Sequence, residues 1–395
     1  MKEKTKPTLV PKLRFPEFRD LEGWQQKPFS KLFSIGNGKD YKHLSAGNVP
    51  VYGSGGYMLS VNQYLYEGES VCIGRKGTIN NPMFLTGKFW TVDTLFYTHS
   101  FQQCLPKFIF AIFQQIDWLK HNEAGGVPSL SKTNIEKIES AAPKLPEQQK
   151  IADCLSSLDE LIAAQARKVD ALKTHKKGLM QQLFPREGET RPRLRFPELQ
   201  EAGEWEPKSI GKLGEVVTGS TPSTVLPEYY GGNRLFVSPA DISDSRFIEK
   251  TKTTLTALGF GETRPIKANS ILFVCIGSTI GKIAQNRHEC ATNQQINSVI
   301  PNSNNFDGFV YYALSGIVDK IVNLAGRQAV PIVNKSLFSS VELAVPKLPE
   351  QNRIANFLSS LDETIFAETQ KLEVLNTHKK GLMQQLFPST DEVEA

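Results

Sequence analysis

A 43-residue stretch occurs twice in this chain, and any fold has to house both copies. Residues 143–185 read PKLPEQQKIADCLSSLDELIAAQARKVDALKTHKKGLMQQLFP and residues 346–388 read PKLPEQNRIANFLSSLDETIFAETQKLEVLNTHKKGLMQQLFP, agreeing at 30 of 43 positions. Each copy opens with Pro and Glu, which suit the first turn of a helix, and each stops at Phe-Pro. In between, the apolar residues of the first copy fall at Ile151, Leu155, Leu158, Ile162, Val169, Leu172, Leu179 and Leu183. The second repeats the spacing at Ile354, Leu358, Leu361, Ile365, Leu372, Leu375, Leu382 and Leu386. This alternation of four and three is a heptad seam, the pattern of a helix packed along another helix. Gln165 with Glu368, and Lys176 with Lys379, interrupt the seam at matching places, as polar residues do when they set register at some cost in stability.

The simplest partner for one copy is the other. The first helix leads from one globular segment into a second and the second helix follows that segment, so mutual pairing predicts an antiparallel coiled coil. About 38 helical residues span roughly 57 Å at 1.5 Å per residue, which would set the two segments at opposite ends of a rod.

A second repeat opens each globular segment. PKLRFPEF at 11–18 returns as PRLRFPEL at 192–199, and Trp24 returns as Trp205 at the same spacing. The predicted organisation is a first globular domain with an N-terminal arm (1–142), a helix (143–185), a charged linker and second globular domain (186–345), a second helix (346–388) and an acidic tail (389–395). Short apolar runs at 71–74, 89–92, 271–277 and 296–300, bounded by Gly, Pro and Asn, read as strands, and 107–120 and 309–323 as helices. Both domains are therefore expected to be α+β. VCIG at 71–74 and 274–277, 203 residues apart like the helices, points to one shared fold.

Twelve consecutive residues, 174–185 and 377–388, are identical even at exposed types, while the globular segments have drifted apart. A packing role alone would keep the seam. Conservation between copies of His175, Lys176, Lys177, Gln181 and Gln182, and of His378, Lys379, Lys380, Gln384 and Gln385, instead suggests a partner that meets the same surface twice.

Catalytic chemistry finds no footing in the sequence. Gly277-Ser-Thr-Ile-Gly281-Lys282-Ile283 resembles a phosphate loop, but has three residues between its glycines where four are needed and Ile where Ser or Thr would bind magnesium. Asn81-Pro82-Met83-Phe84 lacks the second Pro of the adenine methyltransferase motif, and no cofactor loop precedes it. The five cysteines form no CxxC pair, the histidines are scattered, and no apolar run is long enough for a signal or membrane span, so neither a metal site nor a membrane role is expected. A reducing cytoplasm fits best. The net charge of +5 is compatible with a polyanionic partner without demanding one.

What remains are polar, glycine-rich loops. They supply Tyr52, Ser54, Arg75, Lys76, Lys132 and Asn134 in the first segment, and Thr221, Ser223, Ser278, Thr279, Lys282, Asn293, Gln294 and Arg327 in the second. Arg and Lys suit guanine, Asn and Gln suit adenine, and hydroxyls can hold phosphates. Any single loop reads better as solvated surface than as a contact, and it is their occurrence in two diverged copies that suggests DNA contacts.

The PKLPEQ(Q/N)(K/R)IAxxLSSLDExI opening, the THKKGLMQQLF close, the paired RFPE arms and the GSTPS and IGSTIGK loops resemble the specificity subunit of type I restriction-modification enzymes from about residue 11 to 388. The resemblance implies two target recognition domains separated by two long helices in an antiparallel coiled coil, a pseudo-two-fold tandem repeat. It implies double-stranded DNA, two methyltransferase subunits and two restriction subunits as partners. It also implies no cofactor or catalytic residue here, with S-adenosylmethionine in the methyltransferase and ATP with Mg in the restriction partner. Two readings compete: a catalytic DNA methyltransferase or nuclease, which would need the motifs just found wanting, and a protein scaffold that does not bind DNA.

Overall fold

The computed structural model describes residues 8–326 and 330–388, and they form two compact units. One holds residues up to 167 together with those from 370 onward, and the other holds residues 168–369. Two 39-residue helices, Leu145–Leu183 and Leu348–Leu386, each contribute residues to both units.

In the first unit, strands Ser34–Asn37, Leu95–His99, Ser70–Gly74 and Met83–Leu85 form a four-stranded antiparallel sheet in that order. Beside it, strand Ala46–Gly53 pairs antiparallel with Gly56–Val61 and parallel with Lys88–Thr91. The second unit repeats the plan. Strands Gly214–Thr218, Ile296–Pro301, Ile271–Val274 and Ile283–Asn286 are antiparallel neighbours, and Phe247–Ile248 adds a fifth, parallel strand. Strand Tyr230–Val237 pairs antiparallel with Thr253–Leu255 and parallel with Cys290–Thr292.

Several sequence expectations change here. The helix expected over 107–120 stops at Phe113 and resumes as a 3-10 turn, Trp118–His121, while 309–323 divides into Asp307–Gly316 and Val318–Asn323. Residues 52–57 are a β-hairpin rather than a loop, with Tyr52 opposite Tyr57 and the turn at Ser54-Gly55. The shared VCIG is out of structural register. Gly74 faces Leu95 whereas Val274 faces the equivalent Ile296, so Gly74 corresponds to Val274, and Cys275 to Gly277 lie beyond the strand in the following turn. The two units do share one framework, but the tetrapeptide does not mark the corresponding residues.

The two duplicated sequence elements meet at the helix starts. Arg14 of the first RFPE arm lies bidentate on Glu147 (Nε–Oε1 2.8 Å, Nη2–Oε2 2.7 Å) and donates to the carbonyls of Leu21 and Glu22. In the other unit Arg195 grips Glu350 at 2.7 and 2.6 Å and donates to the carbonyls of Ala202 and Gly203. The next residue of each helix ties it to its globular head. Gln148 accepts from the backbone N–H of Leu105 and Gln351 from that of Phe306. Each arm also holds the end of the other long helix, through Leu13 N–H to the Gln385 carbonyl (2.9 Å) and Leu194 N–H to the Gln182 carbonyl (2.9 Å). There Phe387 packs on Trp24 and Phe108, and Phe184 on Trp205 and Phe309. The copies differ in one respect: Trp24 donates its indole N–H to Glu147, while that of buried Trp205 has no partner.

Within each unit the helix segments also meet. In the second unit, Lys168 pairs with Glu368 and Lys176 with Asp362, so rising numbers on one helix meet falling numbers on the other and the pairing there is antiparallel. The first unit carries the duplicate ion pair, Lys379 with Asp159 at 2.6 Å. Of the seam positions, Ile151, Leu155, Val169, Leu183, Ile354, Leu358 and Leu386 are buried. Leu158, Ile162, Leu172, Leu179, Leu361, Ile365, Leu372, Leu375 and Leu382 are half-buried.

Removing one member of a buried, hydrogen-bonded ion pair strands the other charge, at about 3–5 kcal/mol. Glu350→Ala is therefore expected to destabilise the chain by about that amount in urea denaturation, and Arg195→Met with Glu350→Met to recover most of it. A single-variant loss below about 1 kcal/mol would show that the clamp is not an essential contact.

Candidate nucleic-acid interface

Corresponding backbone hydrogen bonds gather the same loops in both heads. Val92 N–H donates to the Tyr52 carbonyl as Asn293 does to Val237; Gly38 donates to Leu95 as Gly219 does to Ile296; and Lys39 donates to Thr91 as Ser220 does to Thr292. Arg75 N–H donates to Thr94 as Cys275 does to Gln295 (both 2.8 Å), and Gly77 donates to Pro128 as Gly277 does to Pro331. Two glycines make the crossing possible. A Cβ on Gly38 would stand 1.9 Å from the Val92 carbonyl oxygen, and one on Gly219 2.3 Å from that of Asn293. Beneath them the hydroxyls of Thr91 and Thr292 are buried without a hydrogen-bond partner, at equivalent places in the two heads.

In the first head this framework brings Arg75, Lys76 and Lys132 together with Asn37 around one open cleft of about 420 Å³, with Glu123 as its acid. Lys132 donates to the Ile35 carbonyl at 2.8 Å, and Asn134, on the same short helix Lys132–Lys137, lies outside the lining. Tyr52 and Ser54 sit on the neighbouring hairpin; the Ser54 hydroxyl is 3.3 Å from where a Cβ on Gly77 would stand. Burial, and after it the charge of Lys132, holds His99 below the usual histidine range.

In the second head, Thr221 donates to the Gln294 side-chain oxygen at 2.6 Å, and Asn293 donates to Gln295. Ser278 and Thr279 occupy the turn after Gly277, and Ser223 is exposed on the preceding loop. Lys282 is committed elsewhere, donating to the carbonyls of Ile242 and Pro239. Arg327 lies outside the described residues. The sequence reading missed Lys335. Ser131 and Asn334 both cap a short helix, so Lys335 is the counterpart of Lys132. The signal was available, since both pairs lie 203 residues apart, the offset of the long helices.

The identical helix ends line a cleft in each unit. In the first, Lys379, Lys380, Met383 and Gln384 face Gln114 and Gln115 around about 500 Å³; in the second, Lys176, Lys177, Met180 and Gln181 face Ser315 and Gly316 around about 1000 Å³. Not all of that identity is free for a partner. Lys176 and Lys379 are drawn into the ion pairs with Asp362 and Asp159, while the backbone carbonyls of Gln182 and Gln385 hold the RFPE arms. His175, Lys177, Gln181 and the side chain of Gln182, with His378, Lys380, Gln384 and the side chain of Gln385, remain exposed.

Burial pushes the thiols of Cys72, Cys275 and Cys290 up to about 12 and that of Cys104 to about 11, which removes them as nucleophiles at neutral pH. Among the described residues no cluster of His, Cys, Asp and Glu could hold a metal ion, and no helix is long and apolar enough to cross a membrane.

Two α+β heads built on one framework, each gripped by the start of one long helix and the end of another, define the architectural class. The family model described as "Type I restriction modification DNA specificity domain" matches residues 21–174 and 202–377, and the chain belongs to that family. It is 30% identical over 189 residues to the type I restriction enzyme HindI specificity subunit of Haemophilus influenzae, covering 47% of this chain and 40% of that one. It is 24% identical over 265 residues to the putative type I restriction enzyme MjaX specificity subunit of Methanocaldococcus jannaschii, covering 66% and 60%. The chain thus matches about half the length of these relatives. In fold it is similar to the crystal structure of the type I restriction-modification S subunit from M. genitalium, with a TM-score of 0.65, 14% identity and coverage of 97% and 100%.

An added Cβ at either glycine crossing would overpack it, at about 1–3 kcal/mol. Gly38→Ala should accelerate hydrogen exchange at residues 91–95 and Gly219→Ala at 292–296, each leaving the other head unchanged. Equal acceleration in both heads would contradict their local independence.

Proposed function

We propose that this chain is the DNA sequence-specificity subunit of a type I restriction-modification complex, each head reading one half of an asymmetric, bipartite duplex target. The observation that carries this is a single hydrogen-bond framework dressed with unlike side chains at corresponding loop positions, as two readers of two different half-sites require. Phosphate contacts would set register, and base-edge contacts from the loops would specify sequence. The two long helices act as the spacer: 39 residues correspond to roughly 58 Å of helix at 1.5 Å per residue.

The same reading makes the chain a non-catalytic, cytoplasmic partner. Adenine methylation from S-adenosylmethionine belongs to two methyltransferase subunits, and ATP with Mg belongs to two restriction subunits. The clefts beside the identical helix ends support paired docking, because Lys177, Met180 and Gln181 in one recur as Lys380, Met383 and Gln384 in the other.

Two measurements test the proposal. Exchanging residues 20–142 for the corresponding part of a relative with a different target should change one half-site in the methylome and leave the other intact; a change in both would refute modular reading. Lys177→Glu with Gln181→Ala should reduce the purified complex from two methyltransferases to one, and adding Lys380→Glu with Gln384→Ala should abolish docking. Retention of both methyltransferases by the quadruple variant would place docking elsewhere.

A further inference from the structure

Because backbone atoms in the two heads make matching hydrogen bonds, positions can be equated without regard to residue type. Arg75 corresponds to Cys275 and Thr94 to Gln295, through the bonds that join each pair. Val92 corresponds to Asn293, so Asp93 falls on Gln294; the isolated bridges Lys76 with Ser129 and Ile276 with Ile332 equate Lys76 with Ile276.

At these positions the chemistry of the two heads is exchanged between the facing loops. The first head has two exposed cations, Arg75 and Lys76, in the turn, and the short side chains Val92, Asp93 and Thr94 opposite. The second has Cys275, 1% exposed, and Ile276 in the turn, while Asn293, Gln294 and Gln295 stand opposite. Gln294 is exposed and braced by the Thr221 hydroxyl on its side-chain oxygen, which retains a second lone pair beside the amide hydrogens. The braced group therefore still offers an acceptor beside an N–H donor, the pair that an adenine edge takes in the major groove, whereas a guanidinium beside an ammonium fits the paired acceptors of guanine.

We infer that these facing loops are the base-reading positions, that Arg75 with Lys76 reads guanine in one half-site, and that Gln294 braced by Thr221 reads adenine in the other. The inference rests on the proposed DNA-specificity function and adds which residues read which base.

The test uses the full chain co-expressed with its methyltransferase subunits, with methylated adenines mapped across a genome. Arg75→Ala should relax a single guanine in one half-site, raising modification of sites with another base there by about ten- to a hundredfold, with the other half-site and the spacer unchanged. Gln294→Ala should relax a single adenine in the other half-site. Arg75→Gln, which keeps a polar side chain if the alanine variant folds poorly, should shift the preference at that position from guanine towards adenine. Uniformly weaker modification with an unchanged motif would make Arg75 a phosphate contact and overturn the assignment, as would relaxation of both variants within one half-site. A wild-type motif that is not split would sink the proposed function itself, whereas a split motif indifferent to all three variants sinks the inference alone.

Discussion

The Arg14–Glu147 and Arg195–Glu350 pairs occupy the points on which the remaining contacts depend. Each joins a guanidinium, buried at Arg14 and half-buried at Arg195, to a buried carboxylate through two hydrogen bonds, and each guanidinium also reaches two backbone carbonyls of its own arm. A buried ion pair of this kind adds little net stability over an apolar replacement, but it tolerates only one geometry. The geometry it selects aligns the first turn of a long helix with the arm, and the arm with the last turn of the other long helix. Gln148 and Gln351, one residue on, then bind the head's own helix start, so arm, helix and head are fixed by adjacent side chains.

From that anchor the ion pairs of the seam follow. Lys379 with Asp159 and Lys176 with Asp362 sit at duplicated positions in their respective units, each drawing a lysine into a half-buried contact that a slip of one turn would break. Asp362 is also bonded by the Tyr312 hydroxyl, and Ser359 by Arg246, which also reaches Gln285 in the second head's sheet. Helix register and head packing in that unit are therefore read by one polar network.

The heads show how a duplicated framework can diverge. Main-chain hydrogen bonds and two tight glycine crossings carry the loops to the same places, and those contacts are nearly indifferent to the side chains beyond them. Arg75 and Cys275 can therefore occupy one position, as can Asp93 and Gln294. Lys132 and Lys335 stay alike behind equivalent helix caps.

The long helices and the repetition of the arms were legible from the sequence, because helical periodicity and duplicated strings are recorded residue by residue along the chain. The α+β character of the heads was visible for the same reason, in short apolar runs such as 296–300. The tetrapeptide VCIG misled, because strand register is decided by the neighbouring strand, and Leu95 and Ile296 place it three residues out of step. Lys176 and Lys379 read as register-setting interruptions of the seam that could also meet a partner, and Lys282 as a DNA contact; only tertiary structure decided that their charges meet Asp362, Asp159 and the carbonyls near residue 240. Candidates such as Arg75, Lys76 and Lys132 stood out in the sequence by residue type, but their assembly belongs to that second category: residues 37, 75 and 132 become neighbours through hydrogen bonds between distant backbone segments, which no local periodicity encodes.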